Sequence, residues 1–324
     1  MPSLDVNEGV TCAWPGGAPF ALFLSHDVDK IHDREPFYAL AALNRARRLL
    51  VGGEVRRAGA TLRRLARAWV APKAPEMDFR TILDVEARHG FRSTFFVLHD
   101  RRWRRRGARY DVTAPALRRI ADMIRTADGE IGLHGGYYRF NQAAAYRESR
   151  EILQAALGGE IVGIRNHFLR FSGAETWAAQ QAAGFRYDAT FGHADRIGAR
   201  AGRLFPFFAA DPATGRMLDL VELPLTVMDV ALFQEPLSGA EALERAWRAI
   251  EPALAAGGLV TLLWHNDCFN EPEFCEWQWT YEQLLARLAA LRPWCATGAE
   301  IAAWWCKQSA EGRRPSADGG TPRP

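Results

Sequence analysis

The sequence lacks any long apolar run. No stretch of the 324 residues is apolar enough to span a bilayer, which takes about 20 such residues in a row. The first twenty residues also lack a basic start followed by an apolar core, so they do not predict a signal peptide. We therefore expect a cytoplasmic protein. Its 48% apolar and 24% charged residues are typical of a globular chain.

Paired cysteines and glycine-rich nucleotide loops are also missing. The five cysteines are odd in number and do not have the close paired spacing of a zinc site. We expect them to be free thiols that pack in the fold. No predicted strand is followed by a glycine-rich dinucleotide or phosphate loop, which disfavours an open nucleotide-binding sheet.

A large excess of charge is absent as well. The net charge of +3 is too small to predict nucleic acid as a partner. Arginine is nevertheless clustered in 45–67 and 100–109. Two interpretations remain open: solvated helix faces, or a surface for an anionic lipid, a nucleotide-sugar diphosphate or an acidic polymer.

What the sequence does contain is a regular alternation of two patterns. Short apolar runs predict strands at 20–26, 91–98, 129–134, 161–165, 185–188, 218–226, 258–265 and 294–297. Stretches with helical periodicity lie between them, at 78–89, 114–127, 141–157, 173–183, 238–256, 278–291 and 298–308. Seven or eight such units predict an α/β fold with a parallel sheet closed as a deformed (β/α) barrel. A doubly wound open sheet is the alternative.

Some segments depart from this repeat. Residues 31–77 form an insertion after the first strand, and their arginine-rich pattern predicts one or two amphipathic helices. Residues 189–217 show no clear period and predict a long loop. We expect one barrel domain over 1–308 and a disordered tail over 309–324.

Two helix starts carry a capping pattern. Ser172 and Ser238 each precede a helical stretch and have a glutamate three residues later. This spacing predicts a capping box at both positions.

Acids and histidines follow the strand candidates where each strand ends: Asp27, Asp29, His134, Arg165, His167, Asp188 and His265. In a barrel those carboxyl ends converge on one mouth, where active sites form. Asp27 and Asp29 are two residues apart, so extended backbone would direct both carboxylates to one side and Val28 to the other.

Aspartate and histidine together suit a divalent transition metal that keeps one open position for water. Such a metal activates the water and polarises a carbonyl oxygen. A second carboxylate would serve as general base, a histidine as general acid, and an arginine would keep the base ionised. Each of these residues, taken singly, could instead be a structural group.

Six motifs follow one another along the chain: FLSHDVD, FRSTFFVL, GEIGLHGG, GIRNHFLRF, FRYDATFG and LLWHN. In this order they resemble the polysaccharide deacetylase family (NodB-homology, or carbohydrate esterase family four), over about residues 18–300. The pattern is most similar to a branch associated with bacterial surface-polysaccharide gene clusters. The resemblance implies a deformed (β/α) barrel that removes acetyl groups from N-acetylated sugars with zinc or another divalent metal.

The resemblance also implies roles for individual residues. Asp27 matches the catalytic base and Asp29 the metal-binding aspartate of the first motif. His134 matches a metal ligand, and Arg165 matches the arginine that pairs with the base. His265 matches the general acid that ends an apolar strand.

One position departs from the family pattern. The family's second histidine ligand would stand four residues after His134, and here that residue is Tyr138, a poor zinc ligand. We expect His167 to supply the third ligand, because it follows the next strand beside Arg165. His26 is a second candidate, although strand alternation turns it away from Asp27. A water is the third.

The sequence indicates the substrate-binding residues less clearly than the metal ligands. Tyr137, Asp188 and Trp264 are candidate substrate-binding residues, together with aromatic residues of 189–208. Core packing is the alternative interpretation of these aromatics. A backbone N–H near Gly135–Tyr137 is a candidate oxyanion donor.

We therefore expect a metal-dependent carbohydrate N-deacetylase, a hydrolase of linear amide C–N bonds, with zinc as the preferred metal. A cytoplasmic enzyme would meet a nucleotide-linked or lipid-linked sugar, and the insertion would then contact a diphosphate or a membrane surface. A catalytically inactive barrel that binds a glycan or a partner protein is the alternative, motivated by Tyr138. A hydrolase of an ester or a cyclic amide is a third interpretation.

Overall fold

The computed structural model describes residues 12–31, 36–70, 73–100, 106–108, 110–211, 214 and 216–312. Its strands are β1 (Ala21–Val28), β2 (Ser93–His99), β3 (Glu130–Gly135), β4 (Gly163–Asn166), β5 (Tyr187–Asp188), β6 (Phe207–Ala210), β7 (Met217–Glu222), β8 (Val227–Met228), β9 (Leu259–Leu263) and β10 (Trp294–Cys295). Its α-helices are α1 (Pro36–Val51), α2 (Val55–Val70), α3 (Met77–Ala87), α4 (Pro115–Thr126), α5 (Ala143–Leu157), α6 (Ala174–Ala182), α7 (Asp229–Leu232), α8 (Gly239–Ala256), α9 (Cys275–Ala289) and α10 (Gly298–Gly312).

The strands form one sheet in the order β6-β7-β5-β4-β3-β2-β1-β9-β8, with β10 beside the start of β1. The paired strands run parallel except β6 and β7, which are antiparallel. Helices return the chain between most parallel neighbours, as parallel pairing requires. The carboxyl ends of the parallel strands therefore share one edge of the sheet.

The sheet curls into a deformed barrel, which confirms the predicted fold class. Its end strands β6 and β8 do not pair with each other within the described residues. The segment before β6 bridges this gap. The Gly198 N–H donates to the Thr226 carbonyl at 2.7 Å, and the Leu259 N–H donates to the Leu204 carbonyl at 2.7 Å.

The two faces of β1 pack against different parts of the core. Leu22 and Leu24 belong to the large cluster that includes helix residues of α3, α4, α8 and α9, whereas Phe23 belongs to a second cluster with Phe96. Successive strand residues point to opposite faces. Asp27 has the parity of Phe23 and His26 that of Leu24, so the two side chains point to opposite faces of the sheet.

The predicted insertion after β1 forms two helices, α1 and α2, which pack on each other. Ion pairs fasten it to the barrel, with Arg45 3.0 Å from Glu273 and Arg64 3.3 Å from Glu271. Most of the second arginine cluster, 101–105 and Arg109, lies outside the described residues.

In the part of the chain that the structure describes, no helix combines the length and apolarity needed to cross a membrane.

Three predicted boundaries were wrong. The loop predicted over 189–217 contains β6, which pairs with β7. The strand predicted over 218–226 is shorter than expected, because β7 ends at Glu222, and the next strand, β8, begins only at Val227. Helix α10 continues to Gly312, so 309–312 are not the start of a disordered tail. The rest of that tail, 313–324, lies outside the described residues.

Of the two predicted capping boxes, one was confirmed and one was wrong. At α8 the Ser238 side chain accepts from the Glu241 N–H, and the Glu241 side chain accepts from the Ser238 N–H. At α6 the N-cap is Gly173, with φ of 64°, and no side chain caps the helix. The Ser172 N–H donates instead to the Thr176 hydroxyl at 2.9 Å, so the chain enters α6 through a different turn.

Candidate metal-dependent active site

Four side chains from three strands of the sheet meet at its carboxyl edge. Asp27 lies near the end of β1, Asp29 follows that strand, His134 lies in β3, and His167 follows β4. His134 Nε2 lies 3.5 Å from Asp27 Oδ2 and 3.5 Å from Asp29 Oδ1. Both carboxylates therefore lie on one side of the chain, as their spacing of two residues predicts.

Three of these side chains form a set of converging donor atoms. His167 Nδ1 lies 2.9 Å from His134 Nε2 and 3.4 Å from Asp29 Oδ1. Asp29, His134 and His167 are a candidate metal-binding group, with their ligand atoms all within 4.8 Å of one another. His167, the expected third ligand, thus lies beside Asp29 and His134.

The hydrogen bond on the far side of the His134 ring fixes its tautomer. His134 Nδ1 lies 2.9 Å from the Arg165 carbonyl oxygen, which only accepts, so Nδ1 carries the proton. The Nε2 lone pair then faces Asp29 and His167. Metal-binding histidines are commonly oriented in this way, by a carbonyl on the opposite nitrogen.

Burial keeps both imidazoles neutral. Burial lowers the pKa of His134 to about 4, despite the raising effect of Asp27. It lowers the pKa of His167 to about 4 as well. Burial also raises the pKa of Asp29. A metal requires neutral imidazoles and an ionised carboxylate, so a bound cation would reverse the effect of burial on Asp29.

These residues fit a small divalent cation. A tetrahedral zinc ion with nitrogen and oxygen ligands about 2.0–2.1 Å away separates its ligand atoms by about 3.4 Å. The three separations here are 2.9, 3.4 and 3.5 Å. Asp29 Oδ1 is also buried and accepts no hydrogen bond from the described residues, which leaves its lone pairs available to a cation.

Asp27 is held as a carboxylate by a buried ion pair. Arg165 Nη1 lies 3.1 Å from Asp27 Oδ1 and also donates to the Ser25 hydroxyl at 2.9 Å. Burial opposes ionisation of Asp27, but His134 and Arg165 outweigh it and lower the pKa of the carboxyl. The Arg165 guanidinium is itself fully buried, over the Phe96 ring at 4.5 Å, with its Nε–H donating to the Ala189 carbonyl.

His265 is paired with a carboxylate that we did not predict. Its Nδ1 donates to Asp229 Oδ1 at 2.8 Å, and its backbone N–H donates to Asp229 Oδ2 at 2.7 Å. Burial would lower the pKa of His265, but the charge and hydrogen bond of Asp229 raise it well above its usual value. Both Asp27 and Asp29 contribute to the same shift, so His265 lies within electrostatic reach of the cluster.

His26, the second candidate for the third ligand, faces away from the cluster. Its Nδ1 donates to the Trp264 carbonyl at 2.8 Å, and its Nε2 lies 2.8 Å from Glu86 Oε1. Glu86 also accepts from Tyr281 at 2.6 Å and from Ser93 at 2.7 Å. His26 therefore belongs to a buried network between the sheet and α3 and α9, and that candidacy was wrong.

Two of the three candidate substrate-binding residues, Trp264 and Asp188, are fully buried. Trp264 is fully buried in the core and packs on Tyr281 at 5.3 Å between ring centroids. Phe191 and Phe207, from the predicted loop, are half-buried and contact the Trp177 ring. For Trp264 the core-packing interpretation holds.

Asp188 is buried beside another carboxyl group. It accepts from the Thr190 N–H at 3.1 Å and from the Thr190 hydroxyl, and a side-chain hydrogen bond links it to Glu222. Burial raises the pKa of Asp188 to about 6 and that of Glu222 well above its usual value. The pair belongs to the core, so the assignment of Asp188 to the substrate was wrong.

Tyr137 remains at the edge of the site. It is half-buried and stacks edge-on against Phe168, with ring centroids 5.4 Å apart. Phe168 is 54% exposed and directly follows His167. The guanidinium of Arg106 lies 4.3 Å from the Tyr137 ring and 5.0 Å from the Phe168 ring. This rim is aromatic and basic.

Sequence reasoning missed Asp229 and Glu222. Both follow the rule that identified the other residues, because Glu222 ends β7 and Asp229 comes directly after β8. The predicted strand over 218–226 ran past Glu222 at the end of β7 and stopped before β8 began, so neither strand end was located. A proline at 224 was the available signal, since proline disfavours a continuous central strand.

Comparison with known proteins identifies the fold. No family profile and no curated protein matches the sequence. Among solved structures, a candidate polysaccharide deacetylase from Mycobacterium smegmatis has a TM-score of 0.58 at 20% identity, over 97% of this chain and 97% of that one. The chain therefore has the polysaccharide deacetylase fold.

Weaker likenesses accompany this match. A peptidoglycan deacetylase from Bacillus subtilis has a TM-score of 0.46 at 9% identity, over 90% of this chain and 95% of that one. A carbohydrate esterase family four pseudoenzyme from Bacillus anthracis has a TM-score of 0.43 at 13% identity, over 87% of this chain and 65% of that one. The fold is identified by the Mycobacterium smegmatis structure, and the activity depends on the chemistry of the site.

Proposed function

We propose that this protein is a metal-dependent hydrolase that removes an acetyl or similar acyl group from the nitrogen of a sugar. The observation that carries the proposal is the convergence of Asp29, His134 and His167 beside the ion-paired carboxylate of Asp27. The deacetylase fold supports the reaction class.

Asp29, His134 and His167 would hold the metal, with zinc as the preferred ion. When bound, a divalent ion supplies polarisation of the acyl oxygen and a lowered pKa for water. The protein's part is to keep the two imidazoles neutral and their lone pairs directed at one point, which the Arg165 carbonyl does for His134.

Asp27 would act as the general base that takes a proton from the attacking water. Its lowered pKa keeps it ionised at neutral pH, and Arg165 fixes the carboxylate by a charged hydrogen bond. The Asp27 Oδ2 atom, which Arg165 leaves uncovered, lies 3.5 Å from His134 Nε2 and so borders the ligand cluster.

His265 would give the proton to the departing amine nitrogen. A general acid must be protonated before the reaction, and the Asp229 carboxylate keeps His265 in that state. A backbone N–H between Gly135 and Tyr137 would stabilise the oxyanion.

The substrate would be an N-acetylated sugar carried on a nucleotide or a lipid. Tyr137 would line the sugar subsite, and Arg106 would bring positive charge to its rim. The inactive-barrel alternative rests on Tyr138, but His167 supplies the donor atom that this substitution would remove.

The test is acetate release from N-acetylglucosamine oligosaccharides and from UDP-N-acetylglucosamine. We expect zinc-loaded protein to release acetate, and Asp27→Asn to lower kcat by about 100-fold to 10,000-fold, the range for a general base. Asp27→Asn should keep its zinc by elemental analysis, which separates loss of the base from loss of the metal. Zinc-loaded wild type without activity on any N-acylated sugar, or an Asp27→Asn variant as active as wild type, would refute the proposal.

A further inference from the structure

The helical insertion exposes an unusual amount of apolar surface. We define the hairpin as 36–70, which contains α1 and α2. Its exposed apolar side chains are Leu40, Leu43, Leu50, Val51, Val55, Leu62, Trp69 and Val70. Exposed fractions reach 83% at Val51 and 84% at Val70. A large exposed apolar patch on a folded protein marks an interaction site.

The exposed apolar residues are arranged in stripes. Val55, Leu62 and Trp69 follow one another every seven residues along α2. Leu43 and Leu50 have the same spacing along α1. Seven residues are nearly two helical turns, so each set lies along one side of its helix. Each helix therefore has an inner side that packs on the protein and a second apolar side that faces solvent.

The charge on the hairpin is almost all of one sign. It holds eight arginines, and its one acidic residue is Glu54. Arg64 and Arg45 pair with acids of the barrel, and Arg57 pairs with Glu54. Arg47, Arg48, Arg56, Arg63 and Arg67 are exposed on the hairpin surface. Apolar stripes flanked by arginine are typical of helices that lie in a membrane interface.

The hairpin also lies at the same end of the barrel as the candidate site. It is the next helical segment after β1 and Asp29 in the chain, and Arg64 contacts Glu271, in the loop that follows His265. Lys73, just past the hairpin, contacts the same carboxylate. A surface held by the hairpin would therefore lie near the mouth that the substrate enters.

We propose that the hairpin docks on the surface of an anionic phospholipid bilayer, with its apolar stripes in the interface and its arginines on lipid phosphates. The positive charge of the hairpin favours an anionic bilayer over a second copy of the chain as the partner. A second copy of the chain would bring a second arginine-rich hairpin against the first, and their repulsion disfavours that contact. If the protein docks on a bilayer, its substrate is a lipid-linked N-acetylated sugar, and this part of the inference rests on the proposed function.

The test is co-sedimentation of the full chain with vesicles. We expect binding to vesicles of equal parts phosphatidylglycerol and phosphatidylcholine, and little binding to phosphatidylcholine alone. Each arginine near an anionic surface contributes substantially. Replacing Arg47, Arg56, Arg63 and Arg67 together by Gln should weaken binding by about 100-fold or more. The matched control replaces Arg186, Arg196, Arg245 and Arg248, exposed arginines outside the hairpin, and should bind as wild type does.

A second pair of variants tests the apolar stripe. Trp69→Ala should weaken vesicle binding by about ten-fold, because Trp69 is 49% exposed on the α2 stripe. Trp279→Ala is its control, since Trp279 is 42% exposed on α9 and should leave binding unchanged.

The outcomes separate this proposal from the proposed function. Wild type that binds neither vesicle type, or equal binding by the hairpin and control variants, overturns the docking and leaves acetate release from soluble sugars untouched. A wild-type dimer in light scattering that Leu62→Glu converts to a monomer, without vesicle binding, assigns the stripe to a second copy and also overturns it. Vesicle binding without any deacetylase activity retains the docking and counts against the enzyme.

Discussion

His265 depends on a single neighbouring carboxylate for its proton. Asp229 accepts from both its ring and its backbone N–H, at 2.8 and 2.7 Å. Asp229 is itself fully buried, where an unpaired charge is unfavourable by several kcal/mol, so each group stabilises the charged form of the other. The Cys268 thiol donates to the same carboxylate at 3.4 Å and helps to hold it.

Asp229→Asn should therefore change the pH dependence of activity. The Asp229 charge raises the pKa of His265, so its removal lowers that pKa and the proton is lost at a lower pH. We expect the alkaline limb of the kcat profile to move to lower pH, with the acid limb in place. The measurement is kcat against pH for acetate release. An unchanged alkaline limb would mean that His265 is not the group that titrates there.

At the scale of elements, the strand ends explain both the success and the gaps of the sequence prediction. Long apolar runs such as β1 and β9 were located well, because both their faces are buried. The two-residue strand β8 has no periodicity to detect, and its position depends on hydrogen bonds to β9. Asp229 follows that short strand, so the partner of His265 could not be found from pattern alone.

The two serines at helix starts provide a matched pair of stability variants. Ser238→Ala should destabilise the fold by about 1 kcal/mol, because the hydroxyl accepts from the Glu241 N–H in a complete capping box. Ser172→Ala should lower the free energy of unfolding by less than half of that amount, because no side chain caps α6. Urea unfolding of both variants against wild type measures the difference. Equal losses would contradict the assignment of the two caps.

At the scale of the whole molecule, buried carboxyl groups couple stability to pH. Burial raises the pKa of Asp188 to about 6 in the folded protein, above its ordinary value of 3.8. The folded state thus keeps a proton that the unfolded state releases. The stability contributed by this group is complete below about pH 4 and is lost as the pH rises through about 6.

Asp188→Asn should remove that dependence, because an amide does not titrate. We expect the variant to lose less stability than wild type between pH 4 and 7, by a difference of about 2 kcal/mol. Urea unfolding of both proteins at several pH values gives the two slopes, and comparing them cancels the effect of the groups that the substitution leaves unchanged. Parallel curves would show that Asp188 does not hold a proton in the folded state.

The whole fold was predictable because the βα alternation repeats along nearly the entire chain. The candidate metal cluster was predictable in outline, since its residues follow strands whose carboxyl ends must meet. The third ligand was harder to predict, because its position depends on the register of strand pairing. That register places His134 opposite Arg165 and so brings His167 close to His134. Trp264 could not be separated from a sugar platform by sequence, since an aromatic ring suits a core and a binding surface equally well.

The central claim is that Asp29, His134 and His167 bind one divalent metal, and a zinc titration of the metal-free protein tests it most directly. We predict one zinc ion per chain for wild type. His167→Ala should bind at least about 100-fold more weakly, since loss of a supporting residue alone weakens metal sites by up to that factor. Tyr138→Phe, at the place where the family has its second histidine, should bind as wild type does. Equal zinc affinity for His167→Ala and wild type, or loss of zinc in Tyr138→Phe, would contradict the account.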